Sequence, residues 1–151
     1  MKETERIADQ LTRSIEGNAW HGPAVIELLN NVSPAQAAEK PINAHSIWEI
    51  INHLIAWMNA AEKRLNNQKA DLTDEEDWPP VTHISEASWK KTLDELNNSF
   101  KDLREKILLF NDSDLEKKAP AGDGQTFYLL LHGIVQHNLY HAGQIAIIKK
   151  Y

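Results

Sequence analysis

The chain contains no cysteine. That absence excludes a disulfide framework, a thiolate metal site and an internal cysteine nucleophile. Any metal must then be held by nitrogen and oxygen, and any thiol chemistry must take its sulfur from a co-substrate. Also missing is a run of about eighteen apolar residues, which excludes a transmembrane helix. The opening MKETERIADQLTRS is charged and amphipathic, without the apolar segment and small-residue cleavage site of a signal peptide, so the expectation is a cytoplasmic protein with no membrane partner. Positive charge is scarce as well: 16 Lys and Arg stand against 22 Asp and Glu, for a net charge of −6. The lysine pairs at 90–91, 117–118 and 149–150 are scattered over helix surface and form no basic stripe, which argues against a nucleic-acid partner. No strand, internal repeat or low-complexity tract is discernible.

What is present is helical periodicity. The 151 residues, 42% of them hydrophobic, suit one compact domain spanning 1–151. Ile7, Leu11 and Ile15 mark a first helix over about residues 2–17, ended by Gly17. A short piece follows at PAVIELLNN, then a single turn with Ser33 as N-cap and Pro34 at the first helical position. A second long helix opens at Ser46, with Glu49 completing a capping box, and runs to about Asn66. NNQKADLTDEEDWPPVTHIS is polar, acidic and proline-bearing, and reads as a long surface loop. Ser85 caps a third helix whose stripe is Ala87 or Trp89, Leu93, Leu96, Phe100, Leu103 and Ile107. A turn-rich connection leads to a fourth helix after Thr126. The fold expected is all-α: a four-helix bundle with short extra helical turns in its connections.

The fourth helix, LLLHGIVQHNLYHAGQIAIIKKY, raises the functional question. His137 and His141 are one turn apart, about 40° on the helical wheel, and share a face with Leu130, Gly133, Ile134, Tyr140, Gln144 and Ile148. His132 points roughly 140° away and is expected at a surface or interface. In the second long helix His53 shares its face with Glu49, Ile50, Ala56, Trp57 and Ala60. The opposite side is also apolar, so that helix is either buried all round or part of an oligomer interface. Two helices thus bring imidazole towards the interior. Two histidines a turn apart can grip one ion, a third can complete a cradle, and a position stays open for water or substrate. The HxxxH spacing also arises where histidines are simply hydrogen-bonded core residues. On the residues alone both readings stand.

WHGP after the first helix, HSIWEIINHLIAW in the second, a tryptophan early in the third and GIVQHNLYHAGQI in the last together resemble the DinB superfamily. The resemblance covers essentially the whole chain and leans towards the branch of bacillithiol- and mycothiol-dependent S-transferases. It implies a DinB-like four-helix bundle, often dimeric, with a divalent metal on three histidines, which carry over to His53, His137 and His141. It also implies a low-molecular-weight thiol and a small electrophilic substrate.

Around those ligands, Glu49 could act as a base, orient a ligand, or only complete the capping box with Ser46. His21, Trp57, Tyr140 and Gln144 are candidates to line a pocket, and each also has a bland reading as loop, wall or packing residue. Gly133 sits mid-helix, where glycine costs ~1 kcal/mol relative to alanine, and is expected either to permit close helix approach or to clear space beside the metal. Imidazole ligands admit Zn, Ni, Fe or Mn. Two functions follow as expectations. One is a metal-dependent enzyme activating a thiol or water, as an S-transferase or hydrolase. The other is a non-catalytic, metal-stabilised dimeric binding module. No role is assigned to His83.

Overall fold

The computed structural model describes residues 1–121 and 123–151. Four long helices dominate: α1 (Glu3–Ile15), α4 (Ile47–Leu65), α6 (Glu86–Leu109) and α7 (Phe127–Ile148). Short pieces fill the connections: α2 (Val25–Leu29), α3 (Pro34–Ala38), α5 (Asp74–Asp77) and a 3-10 turn at Asp112–Asp114. The described residues form no strand, and none of their helices is long and apolar enough to cross a membrane.

Local chemistry sets the helix starts. Ser46 Oγ accepts the Glu49 N–H at 3.1 Å while the Glu49 carboxylate accepts the Ser46 N–H at 3.0 Å, the reciprocal capping box. Ser33, Ser85 and Thr126 cap α3, α6 and α7 by the same hydroxyl device. The first helix stops at Ile15, two residues short of the expected end, because Gly17 and Asn18 turn the chain through positive φ (150° and 59°).

The long helices pack as a ring: α1 on α6, α6 on α4, α4 on α7 and α7 on α1. Ile7, Leu11, Ile51, Leu54, Phe100 and Leu103 fill the middle, each at most 1% exposed. Two indoles extend this core without leaving a donor unpaired: Trp48 Nε1–H donates to Thr92 Oγ1 and Trp89 Nε1–H to the Val32 carbonyl. The helix that reads as apolar all round is α4. Within the chain α6, α7, α3 and α5 all pack on it, and Asn59 and Lys63 stay exposed.

The segment 66–85 lies at the surface, as expected, and adds one helical turn. Thr73 and Glu76 form a capping box around the single turn α5, which packs on α4. Arg64, 3% exposed, reaches out of α4 to donate to the Ala70 carbonyl at 2.9 Å. Together these contacts turn the segment into a strap laid along α4.

The caps and the core make separable contributions. Thr126→Ala is expected to cost about 1 kcal/mol by removing the α7 cap, whereas Phe100→Ala should cost about 3–5 kcal/mol through cavity formation. Chemical denaturation of both variants checks the ratio.

Candidate metal centre

Adjacent helices α4 and α7 bring His53, His137 and His141 to one place. Their ligand atoms lie within 4.8 Å of one another. The Nε2 atom of His137 is 2.8 Å from Nε2 of His53 and 3.1 Å from Nε2 of His141. His53 and His141 are 5% and 4% exposed and His137 is half-buried.

The outward nitrogens decide what the inward ones can be. His53 Nδ1 lies 2.7 Å from the Asp77 carbonyl, a pure acceptor, with Asp77 Oδ1 at 3.1 Å. Nδ1 therefore carries the proton and Nε2 a bare lone pair. His141 Nδ1 donates to Gln144 Oε1 at 2.6 Å, with the same result. Both lone pairs face His137 Nε2, which has at most one proton to give. The His137 Nδ1 atom is itself buried without a partner. Protein groups alone leave this cluster unsatisfied, and a cation at its centre would satisfy it. Three neutral imidazoles suit a divalent ion such as Zn, Ni or Fe, with bonds of ~2.0–2.1 Å for Zn. The residues fit the metal that the sequence resemblance implies.

Electrostatics agree. Burial first, and then the neighbouring His141 and His53, push the His137 pKa down to about 3. Burial also lowers His53 and His141, against the opposing pull of their bonds to Asp77 and Gln144. All three rings are held in the neutral form that ligates metal.

Two clefts reach the triad from opposite ends of the helix pair. The larger, ≈620 Å³, touches His53 and His141 and runs past Ile50, Trp78 and Ile147 to His45. The smaller, ≈320 Å³, touches His53 and His137 beneath Trp57, Leu130 and Gly133. Gly133 has nothing within 4 Å of where a Cβ would stand, so its missing side chain leaves the smaller cleft open.

The other candidate residues divide. Gln144 lines the larger cleft and orients His141. Tyr140 borders that cleft edge-on to His141 at 5.0 Å, but is 65% exposed. Trp57 walls the smaller cleft and donates its N–H to Asp77 Oδ1 at 2.6 Å. Glu49 is turned to the other side: its carboxylate takes Lys40 Nζ at 2.8 Å, His45 Nδ1 at 3.2 Å and the Ser46 N–H. Burial raises its pKa, yet these three partners outweigh that and hold it low. His21 is exposed in a different groove, beside Arg13, Trp20 and Leu139, and is not brought to the triad. His132 lies tilted against Tyr128 and stands 3.6 Å from Glu3, and His83 is exposed on the 66–85 segment.

Sequence reasoning missed Asp77, Trp78 and His45. Trp78 lies face to face with His53 at 3.8 Å and 4°, and with His45 at 3.6 Å and 7°. One signal was available: His45 and His53 bracket the start of one helix, in HSIWEIINH.

A four-helix bundle with a buried cluster of three imidazoles fed by clefts is the class that fold and site define. The sequence model of the DinB superfamily matches residues 19–145, and the chain belongs to that superfamily. Comparison with curated proteins and with solved structures returned no match.

Two outcomes follow from this geometry. In metal-free protein the folded state refuses the proton that unfolded His137 accepts below pH 6.5, so stability should fall as pH drops from 6.5 towards about 3. Denaturation across that window should show a shallower slope in His137→Gln. Gln144→Ala, which removes the acceptor on His141 Nδ1, should weaken metal affinity roughly 10–100-fold, as loss of an outer partner to a ligating histidine generally does, while exposed Asp74→Ala leaves it unchanged. Competitive metal titration reads both.

Proposed function

We propose that this chain is a divalent-metal enzyme of the DinB superfamily, in which His53, His137 and His141 hold the ion and an external thiol or a water molecule is the nucleophile. The observation that carries the reading is the pair of bare Nε2 lone pairs on His53 and His141, both fixed from outside and both aimed at His137. A metal-binding superfamily supports it. When bound, the ion supplies Lewis acidity that favours a thiolate and brings the pKa of a bound water near 7.

The chain's own residues account for the rest. Asp77 and Gln144 hold two ligand rings in register. Three protein ligands leave a place for a nucleophile, where a purely structural zinc site would have all four filled. Trp57 and Trp78 exclude water from two sides of His53. The clefts give two molecules separate approaches to the triad, which favours transfer between a thiol and an electrophile over hydrolysis. With no cysteine in the chain, that thiol is a co-substrate of low molecular weight.

Elemental analysis of untagged protein tests the first step. Near-stoichiometric divalent metal in the parent, lost in His53→Ala and His141→Ala, is the expected result, and equal trace occupancy in all three would overturn it. Turnover of thiol–electrophile and ester probes by the loaded parent tests the second. Full loading that raises Tm without any turnover would leave a metal-stabilised module instead of an enzyme.

A further inference from the structure

The larger cleft has a polar far end that the triad does not explain. His45 stands there, just before the Ser46 cap of α4, with its ring flat against Trp78. The other face of Trp78 is taken by His53. Two imidazoles at those separations cannot share one indole face, so Trp78 is sandwiched, and His45 is fixed one indole away from the ligand His53. Apolar Ile50, Ile147 and Ile148 line the path between the two ends.

The polarity of that far end is defined. Glu49 binds His45 Nδ1 at 3.2 Å and also takes the Lys40 ammonium and a backbone N–H, an environment that keeps a carboxylate ionised. An ionised carboxylate only accepts, so the proton sits on His45 Nδ1. In that Nδ1–H tautomer Nε2 carries a lone pair, and among the described residues it makes no hydrogen bond. The side chain is 44% exposed. The result is an acceptor at the end of a largely apolar passage that starts at His53 and His141.

We propose that the larger cleft takes a small thiol whose far end carries a hydroxyl or amine, and that His45 Nε2 accepts the hydrogen bond from that group. The assignment rests on the function proposed above, and it gives Glu49 a role as the positioning residue of His45. A far-end carboxylate is disfavoured, because it would meet an acceptor nitrogen beside the Glu49 anion.

Calorimetric titration of zinc-loaded protein with 3-mercaptopropan-1-ol, butane-1-thiol and 3-mercaptopropionate tests this. The alcohol is expected to bind roughly five- to tenfold more tightly than the alkane thiol, the worth of one hydrogen bond. His45→Phe keeps an aromatic ring on Trp78 and removes Nε2, so it should erase that preference while zinc stoichiometry stays unchanged. Glu49→Gln, which preserves the capping box, should reduce the preference in part. A preference that survives in His45→Phe, or one for the carboxylate in the parent, overturns the assignment and leaves the metal site standing. A loaded parent that binds none of the three thiols overturns it too. A parent that holds no zinc sinks the proposed function itself, and stoichiometry is read before any thiol is added.

Discussion

Two imidazoles pinned from behind cannot avoid pointing their lone pairs forward. The Asp77 carbonyl takes the Nδ1 proton of His53, the Gln144 amide takes that of His141, and both Nε2 atoms then face the same half-buried ring. Nothing in the chain can protonate the cluster cheaply, since burial opposes charge on all three histidines. Around the triad the bundle is held mainly by apolar packing. Trp48 and Trp89 find partners for their N–H groups, and aliphatic side chains from all four long helices fill the rest. What marks the site is the convergence of three ring nitrogens, two of them fixed from behind, on one point between α4 and α7.

Much of the helical frame could be read from residues alone, because its signals are local. A serine three positions before a glutamate, a proline after a serine and apolar residues at helical spacing each specify structure within one or two turns. His137 and His141 came from the same kind of reading. The third ligand is different in kind. That α4 lies against α7 is a fact about packing order, and periodicity does not contain it. The resemblance to a known family supplied that neighbour, and the bundle's ring of contacts accounts for it.

Where the reading fell short, the reasons are physical. Glu49 precedes His53 by one turn on the same face, which suggested proximity to the ion. The other alternative for it, the capping box with Ser46, is the one formed, and Lys40 and His45 take the rest of its carboxylate. Segment 66–85 was hidden by composition. Its acids and prolines are the chemistry of a solvated loop, yet one four-residue turn is enough to aim Asp77 and Trp78 inward. A single indole with two flat faces does what no apolar stripe announces: it joins two histidines eight positions apart in sequence. His21 shows the converse, a histidine within a family-like motif that turns out to face another groove.

The strap also explains how a site at the middle of two helices can be held stiffly. Arg64 is buried near the end of α4, with its guanidinium over the Trp57 ring at 5.7 Å and one N–H on the Ala70 carbonyl. Trp57 passes its own N–H to Asp77, and Asp77 receives the His53 proton. Cation, indole, carboxylate and imidazole form one continuous path from the far turn of α4 back to a ligand on the same helix. Each link orients the next: the strap is fixed by Arg64, Asp77 by the strap and by Trp57, and His53 by Asp77. A ligand ring set in this way keeps its tautomer and its direction whether or not an ion is present, which lowers the reorganisation that ion binding would otherwise require. His137 has no such path, and its Nδ1 meets no partner. The triad therefore combines two ring nitrogens fixed from behind with a third whose ring is held only by its packing and by the other two imidazoles.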